Sequence, residues 1–421
     1  MPTLREGRIL DPELETLPDA DRRAFLGRRL AATVARAFDG APRVRRTLDA
    51  AGVSPGDVRG LDDLARLPIL RKDDLPRLQA EEPPFGGLAG VSTGALARAF
   101  MSPGPIYDPQ GAAQDFWRFR HGLAAAGFRG GDVALVSASY HLTPLGFMLD
   151  DAARALGCVT IPGGVGQTEL QAKVAAHLRA TGYVGTPSFL LTLLQKAREA
   201  GAPLALEVAF VVAEMLPESL RADIEAFGVR VLQGYGTADL GCLAYECVEK
   251  GGWHLHPECI VEVLDLESGA PAAPGQPGEV VATIFDEAYP LLRLATGDIA
   301  ALAPDPPCRC GRTAPKLAGL LGRVGDAVKV KGMFVRGAQV EAVAKRHPEV
   351  LRVQAVVTRE AHHDHLEVVA EVADPGAAGN LAATLADALR DEIKVRPEVR
   401  LVAPGTLPAG AKRIDDRRVW K

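Results

Sequence analysis

Apolar residues in the first eighty positions recur every three or four residues, the period of an amphipathic helix. Arg and Asp residues fill the positions between them, so one face of the predicted helix is apolar and the other is charged. The apolar positions are Leu26, Leu30, Val34 and Phe38. Turn and cap residues follow in SPGD at 54–57 and KDDLP at 72–76. The sequence therefore predicts a helical N-terminal segment.

From about residue 130, short apolar segments alternate with helical ones. An alternation of this kind predicts a mostly parallel sheet with helices on both faces. The predicted strands are 132–139, 158–162, 183–187, 208–214 and 229–236, and the predicted helices are 150–157, 167–180, 188–201 and 217–227.

The spacing shortens between about 243 and 305, where two strand patterns flank the Gly- and Pro-rich loop GAPAAPGQPG. After 322 a separate unit carries strand patterns at 350–358 and 365–372 and helical patterns at 337–347 and 379–394. The predicted fold is α/β. It has a large domain over 1–321, with mostly parallel sheets and a β-rich part at about 243–317, and a small, mobile α+β domain over 322–421. Gly322 and Gly325 place the expected hinge at 323–326.

Composition supports a globular, multidomain chain. It has 421 residues, of which 47% are hydrophobic and 24% are charged. The net charge of −5 argues against a nucleic-acid or anionic-membrane partner. The N-terminus MPTLREGRILDPELE has no apolar region of a signal peptide. No stretch approaches the roughly 18 apolar residues of a membrane span, so a cytoplasmic protein is expected.

Cysteines cluster between 242 and 310, which in a large chain of this kind favours metal ligands over disulfides. Three thiolates and one imidazole would make a closed, tetrahedral, structural zinc site. The alternative is that these residues are buried and unliganded, but a Cys-x-Cys next to glycine suits a core strand poorly. The predicted ligands are Cys247, His254, Cys308 and Cys310; weaker candidates are Cys242, His256 and Cys259, and Cys158 is expected in the core.

The order of several motifs resembles the phenylacetate–CoA ligase family of the adenylate-forming superfamily along nearly the whole chain. The N-terminal part carries LDPELETLPDADRRAFLGRRLAATVARAF, LDDLARLPILRKDDL and PPFGGLAG. The central part carries IPGGVGQTELQ (161–171), GTPSFLLTLLQKA (185–197) and GYGTAD (234–239), and the last part carries LLRLATGDIA (291–300), CRCGRTAPKL (308–317) and GRVGDAVKVKG (322–332). No single motif is specific, but their order and spacing together are those of the family.

The resemblance implies a nucleotide site. It implies that Tyr235 stacks on adenine and that Thr237 meets the α-phosphate. Asp239 stands where the family usually carries Glu as a Mg²⁺ ligand, and its side chain is one methylene shorter. Asp298 of TGD would bind the ribose hydroxyls. The remaining residues implied to line the nucleotide are Ala213, Glu214 and Gly236. From the motif alone, an ordinary strand-to-helix turn is the alternative.

Two family features are altered in this chain. The family's phosphate loop is a Ser-, Thr- and Gly-rich run that ends in Lys-Pro, whereas only Ser92, Thr93 and their neighbours keep that character here and the lysine is missing. Arg98 is a candidate replacement. The family's C-terminal catalytic lysine corresponds to Lys412, although one alignment puts Gly410 at its place, which would leave Lys412 a solvated charge.

Arg323 lies just before the expected hinge. By resemblance it contacts phosphate or ribose, and the alternative is a surface arginine in a salt bridge.

The implied activity is that of an AMP-forming acid–thiol ligase. A small carboxylic acid, aromatic or arylacetic by family default, would react with Mg·ATP to give acyl-AMP, which passes to coenzyme A. The implied acid pocket comprises Tyr140, His141, Gly163, Gly164 and Pro187. Two alternatives stay open. One is an adenylating enzyme that serves a carrier protein or an amine, and the other is a non-catalytic nucleotide-binding homologue. The oligomeric state is also open, a homodimer included.

Overall fold

The structure, a computed structural model, describes residues 5–102, 105–304, 308–324, 327–330, 333–360, 363–408 and 410–418. The chain divides into two compact units. The first comprises Met1–Thr296 and Ala300–Gly319, and the second comprises Gly297–Ile299 and Leu320–Lys421.

The N-terminal segment is helical, as predicted. Leu30 and Val34 of its long second helix are fully buried, while Leu26 and Phe38 are half-buried on the same face. This burial explains the apolar period of the sequence. The helices are α1 (Pro12–Glu15), α2 (Asp19–Gly40), α3 (Pro42–Ala50) and α4 (Leu75–Glu81).

A hairpin of two antiparallel strands, β2 (Arg98–Ser102) and β3 (Ile106–Gln110), follows these helices. The short strand β1 (Leu70–Arg71) precedes it.

The centre of the first unit is the predicted alternation of strands and helices. Its strands pair in parallel in the order β5-β4-β6-β7-β8. The strands are β4 (Val133–Ser137), β5 (Val159–Pro162), β6 (Gly182–Gly185), β7 (Val208–Val211) and β8 (Arg230–Thr237). The helices are α5 (Arg120–Ala126), α6 (Leu145–Ala155), α7 (Thr168–His177), α8 (Pro187–Glu199) and α9 (Glu218–Glu225).

The β-rich part continues this same sheet. β8 is parallel to β7 on one side and antiparallel to β9 on the other, and the order runs on as β8-β9-β10-β14-β13-β12-β11. With β1 against β13, the sheet has 12 strands. The added strands are β9 (Gly241–Glu246), β10 (Trp253–Leu255), β11 (Cys259–Leu264), β12 (Gly278–Ile284), β13 (Leu294–Leu302) and β14 (Lys316–Arg323).

The second unit is a small α+β fold with its own core. Its main sheet has the order β19-β18-β17-β20, and side chains such as Val357, Val368 and Leu385 are fully buried. Its elements are β15 (Ala327–Val330), β16 (Met333–Arg336), α10 (Gly337–Ala344), β17 (Val350–Glu360), β18 (His363–Val372), α11 (Leu381–Ile393), β19 (Glu398–Val402) and β20 (Ile414–Asp416).

Two further expectations from the sequence concern the hinge and the absence of a membrane span. Of the expected hinge at 323–326, Arg323 ends β14, and residues 325 and 326 lie outside the described residues. Across the described part of the chain, no helix combines the length and apolar character needed to cross a membrane.

Candidate active site

The end of β8 carries the expected adenine residue. Tyr235 is 5% exposed; its ring lies against Trp253, with centroids 6.0 Å apart, and its hydroxyl is 3.3 Å from Thr296 Oγ1. At Gly236 a Cβ would come within 2.3 Å of the Gly241 carbonyl oxygen, so the close approach of β8 and β9 requires a glycine. This packing fixes the backbone at the point where the strand ends.

Thr237 and Asp239 form a hydrogen-bonded turn directly after Tyr235. The Thr237 hydroxyl donates to Asp239 Oδ1, and the Leu240 N–H donates to the Thr237 oxygen at 3.3 Å. The Lys72 ammonium lies 3.3 Å from Asp239 Oδ1 and 3.1 Å from Oδ2. Asp239 is buried, so the Lys72 ammonium balances a negative charge that water does not solvate. The sequence did not predict a role for Lys72. This lysine precedes Asp239 by 167 residues, and its segment shows only the pattern of a turn.

Ala213 and Glu214 lie at the corresponding end of the neighbouring strand, β7. Both are exposed, and Ala213 adopts a left-handed conformation with φ of 68°. Glu214 accepts hydrogen bonds from the Ser188 hydroxyl at 2.6 Å and the Ser188 N–H at 3.3 Å in the first turn of α8. Because β7 and β8 are parallel neighbours, these residues share one edge of the sheet with Tyr235.

The residues expected to bind the acid follow three other parallel strands at this edge. Tyr140 and His141 follow β4, Gly163 and Gly164 follow β5, and Pro187 begins α8 after β6. Tyr140 is half-buried, with its hydroxyl 3.4 Å from Asp150 and its ring edge-on to Phe147, whereas His141 is exposed. Burial, and then the charge of Asp150, raise the pKa of Tyr140, so its hydroxyl stays protonated.

Gln171 holds the glycine loop in place, a role that the sequence analysis did not predict. Its amide accepts from the Ser137 hydroxyl at 2.7 Å and donates to the Gly164 and Gly166 carbonyls at 3.3 and 2.7 Å. A Cβ at Gly163 would meet the Gln171 oxygen at 2.6 Å. A larger residue at 163 would therefore require the Gln171 amide to move from these hydrogen bonds.

The residues proposed for the altered phosphate loop are not gathered with the β8 turn by any described hydrogen bond. Ser92 and Thr93 are exposed around a 3-10 turn, Thr93–Ala95, that precedes the β2–β3 hairpin. Arg98 lies 2.9 Å from Gln110 Oε1 and 3.4 Å from Asp151 Oδ2, and stacks on the Phe147 ring. Its charge is therefore already paired.

Asp298, Arg323 and Lys412 belong to the second unit. Arg323 Nε lies 3.5 Å from Asp298 Oδ1, and the arginine side chain is 58% exposed, so this ion pair alone stabilises little. Gly297, with φ of 75°, lies beside the arginine. Lys412 is exposed before β20, where its backbone carbonyl accepts a hydrogen bond from Gln354 at 2.8 Å.

The four predicted metal ligands come together in the β-rich part, with their ligand atoms all within 4.8 Å of one another. Cys247 Sγ lies 3.6 Å from Cys308 Sγ, and Cys310 Sγ lies 3.4 Å from His254 Nε2. The Nδ1 atom of His254 is 3.2 Å from the Ala314 carbonyl oxygen. A carbonyl only accepts, so Nδ1 carries the proton and the Nε2 lone pair faces the thiols. This donor set and tautomer fit a tetrahedral zinc ion.

A buried ion pair connects α1 to the loop that carries Cys308 and Cys310. Arg312, two residues after Cys310, donates to the Glu15 carboxylate, and both side chains are at most 3% exposed. Glu15 also accepts from the Tyr245 hydroxyl at 2.9 Å and from the Leu10 and Asp11 N–H groups. The sequence did not predict this pair, because 297 residues separate its members.

A second group of metal-type side chains comprises His121, His256 and Glu258. The Glu258 N–H donates to His256 Nδ1 at 3.1 Å, which places the His256 proton on Nε2, 3.1 Å from His121 Nδ1. His256 thus has no free lone pair, and we interpret this group as a neutral hydrogen-bonded pair in the core.

The three cysteines outside the metal group, Cys158, Cys242 and Cys259, are buried. Burial raises the pKa of Cys158 to about 11 and that of Cys259 to about 12, and the pKa of Cys242 is also raised, so these thiols stay protonated. The sequence predicted that Cys158 lies inside a strand, but in the structure Cys158 directly precedes β5.

Two models of known protein families match the chain, one within each unit. A model described as "AMP-binding enzyme" matches residues 118–283, and one described as "AMP-binding enzyme C-terminal domain" matches residues 332–418.

Curated relatives align over most of the chain. A phenylacetate-coenzyme A ligase of Thermus thermophilus is 36% identical over 87% of this chain and 85% of its own length. One of Aromatoleum evansii is 30% identical over 97% of both chains, and one of Escherichia coli is 31% identical over 86% of this chain and 85% of its own.

The fold also matches solved structures of a 2-hydroxyisobutyryl-CoA ligase. The open conformation, in complex with 2-HIB-AMP and CoA, has a TM-score of 0.81 at 25% identity and covers 96% of this chain and 94% of its own. The thioesterification state has a TM-score of 0.72 at 25% identity, covering 97% and 92%. By these relationships, which span both units, the chain belongs to the phenylacetate–coenzyme A ligase family of adenylate-forming enzymes.

Proposed function

We propose that this chain is an AMP-forming acid–CoA ligase that activates a small carboxylic acid, of the arylacetic class, as its acyl-AMP and transfers the acyl group to coenzyme A. One observation supports the proposal most strongly. This chain is 36% identical to a phenylacetate-coenzyme A ligase, and the turn at Tyr235–Asp239 lies at the same edge of its sheet as the three loops after β4, β5 and β6. A nucleotide and an acid bound there would be neighbours, as transfer of the adenylyl group to the carboxylate requires.

In the first half-reaction, a carboxylate oxygen of the acid attacks the α-phosphorus of ATP. An oxygen–phosphorus bond forms, the bond from the α-phosphorus to the bridging oxygen breaks, and pyrophosphate leaves. Tyr235 would stack on adenine, and the Thr237 hydroxyl would turn its single proton from Asp239 to an α-phosphate oxygen as negative charge builds there. Asp239, a buried carboxylate whose Oδ2 lies 3.1 Å from Lys72 Nζ, fits a magnesium ligand. A magnesium ion held there supplies positive charge to the phosphates.

In the second half-reaction, the thiol of coenzyme A attacks the acyl carbonyl carbon. A carbon–sulfur bond forms, the carbon–oxygen bond to AMP breaks, and the thiol proton passes to solvent. We assign the change between half-reactions to rotation of the domain over 322–421 about a hinge at 323–326. Asp298 and Arg323 would hold the ribose and phosphate, and Lys412 would approach the reacting carboxylate during adenylation only.

An arylacetic acid suits the loop after β5. A Cβ at Gly164 would meet no atom within 4 Å, so this glycine leaves room for a flat ring, while Gln171 packs against Gly163 and holds the loop in that shape. The half-buried Tyr140 and the rigid Pro187 would provide apolar surface on either side of the ring. Exposed His141 would lie at the entrance.

We assign the Cys247, His254, Cys308 and Cys310 group to one structural zinc ion. All four positions of a tetrahedral ion would be filled by protein atoms, so the ion would hold β9, β10 and the loop before β14 together and take no part in the chemistry.

The lost phosphate-loop lysine favours a second candidate, a homologue that binds nucleotide without turning it over. Pyrophosphate release, measured with ATP and a panel of aryl and aliphatic acids, separates the two. The ligase predicts release that depends on the acid and is greatest with arylacetic acids. Absence of release with every acid would reject it. Release that is never followed by thioester formation with coenzyme A would indicate a carrier protein or an amine as the acceptor.

A further inference from the structure

A buried glutamine connects two of the three loops that are expected to bind the acid. Gln171, in the first turn of α7, and Ser137, the last residue of β4, are each 4% exposed. The Ser137 hydroxyl donates to the Gln171 amide oxygen at 2.7 Å. The Gln171 amide nitrogen donates to the Gly166 carbonyl at 2.7 Å and to the Gly164 carbonyl at 3.3 Å. One end of this side chain therefore holds the strand that leads to Tyr140, and the other end holds the loop after β5.

The third acid loop, after β6, meets the same Ser137. A Cβ at Gly185, the last residue of β6, would come within 2.7 Å of the Ser137 carbonyl oxygen and 2.6 Å of the Tyr183 hydroxyl oxygen. The fully buried Tyr183 donates from this hydroxyl to the Thr186 carbonyl at 3.0 Å. Thr186 immediately precedes Pro187, so buried side-chain hydrogen bonds fix the backbone of all three loops in one region.

The loop after β5 depends on such support because it is rich in glycine. Gly164 and Gly166 have φ of 70° and 69°, a conformation that glycine adopts readily but does not enforce. The Gly163 and Gly164 N–H groups donate to the Val136 carbonyl at 3.0 and 3.2 Å, and Gln171 binds the loop carbonyls. These bonds select one shape of the loop, in which a Cβ at Gly164 would meet no atom within 4 Å.

We infer that Gln171 is the positioning residue that decides which acids this site prefers. It acts through the backbone of residues 164–166, whose place sets the room for a ring beside Gly164. The inference rests on the proposed ligase function and deepens it. Acids that carry a ring next to the carboxymethyl group depend on Gln171, whereas acids too small to reach the loop do not.

Three ligands test the inference without turnover. They are AMP and two acyl-sulfamate analogues of acyl-AMP, one with a phenylacetyl group and one with an acetyl group, and calorimetry with the full-length protein gives each affinity. Gln171→Met keeps the length of the side chain but offers no N–H group. This variant should bind the phenylacetyl analogue roughly 10- to 100-fold more weakly, because a displacement of about 1 Å at a positioning group has effects on that scale. It should bind AMP and the acetyl analogue as wild type does.

Two further variants separate positioning from a general loss of stability. Gln171→Glu still accepts from Ser137 but, when ionised, cannot donate to the glycine carbonyls. It should therefore resemble Gln171→Met, and it takes the place of that variant if Gln171→Met does not fold. Arg312→Met is the stability control: it breaks the buried ion pair with Glu15 and should leave all three affinities unchanged.

Two results would overturn the inference. One is equal affinity of wild type and Gln171→Met for the phenylacetyl analogue. The other is an equal loss of affinity for all three ligands, which would show that Gln171 supports only the general stability of the fold.

Acyl-AMP formation separates this inference from the ligase proposal. Wild type should adenylate phenylacetate faster than acetate, and Gln171→Met should lose most of that preference through a higher KM for phenylacetate at an unchanged KM for ATP. If wild type adenylates phenylacetate and the variant keeps the same preference, the inference fails and the ligase proposal stands. If wild type adenylates no acid, the ligase proposal itself fails, and the inference fails with it.

Discussion

Removing Arg312 should destabilise the first unit through Glu15. In Arg312→Met the apolar side chain fills similar space but leaves the Glu15 carboxylate without its cation. That carboxylate is fully buried, and its remaining hydrogen-bond partners among the described residues would be the Tyr245 hydroxyl and the Leu10 and Asp11 N–H groups. Breaking one side of a buried ion pair typically costs about 3–5 kcal/mol. At roughly 2 °C per kcal/mol for a large domain, the melting temperature should fall by about 6–10 °C.

A double-mutant cycle isolates the pair. Glu15→Gln combined with Arg312→Met leaves a neutral amide that the same N–H groups and hydroxyl can still contact. The double variant should therefore lose less stability than the sum of the single changes, with a coupling of roughly 1–3 kcal/mol. Chemical unfolding followed by circular dichroism measures all four proteins. A loss under about 1 kcal/mol in Arg312→Met, or strictly additive effects, would refute the reasoning from burial.

Three further predictions concern the nucleotide, zinc and the C-terminal lysine. Asp298→Ala should weaken AMP binding by roughly 10- to 150-fold, the equivalent of about 1.5–3 kcal/mol for a charged hydrogen bond, and unchanged affinity by calorimetry would remove the ribose assignment. The purified protein should hold about one zinc ion per chain and Cys310→Ser should lose most of it, with a lower melting temperature; zinc-free wild type by elemental analysis would reject the site. Lys412→Ala should slow acyl-AMP formation strongly while leaving thioester formation from supplied acyl-AMP nearly normal. If that variant forms acyl-AMP at the wild-type rate, Lys412 is only a surface charge.

The sequence predicted those parts of the fold that depend on local pattern. The helix through Leu30 and Val34 and the alternation from 132 to 236 follow from apolar periodicity, which survives any tertiary arrangement. The four metal-type residues were predictable because Cys-x-Cys beside glycine is unusual in a core. What the sequence could not give is which strands become neighbours: the β-rich part continues the parallel sheet because β9 pairs antiparallel with β8.

The unpredicted features of the candidate site depend on long-range contacts. Lys72 meets Asp239 only because the helical N-terminal segment packs against the sheet, and Arg312 meets Glu15 in the same way.

The most direct test of the ligase proposal is one reaction of wild type with ATP, Mg²⁺, phenylacetate and coenzyme A, followed by mass spectrometry of all products. The account predicts AMP, pyrophosphate and phenylacetyl-CoA in equal amounts, and acyl-AMP with pyrophosphate, but no thioester, when coenzyme A is omitted. Unconsumed ATP with phenylacetate and with every other acid tested, from protein that still binds AMP, would contradict it.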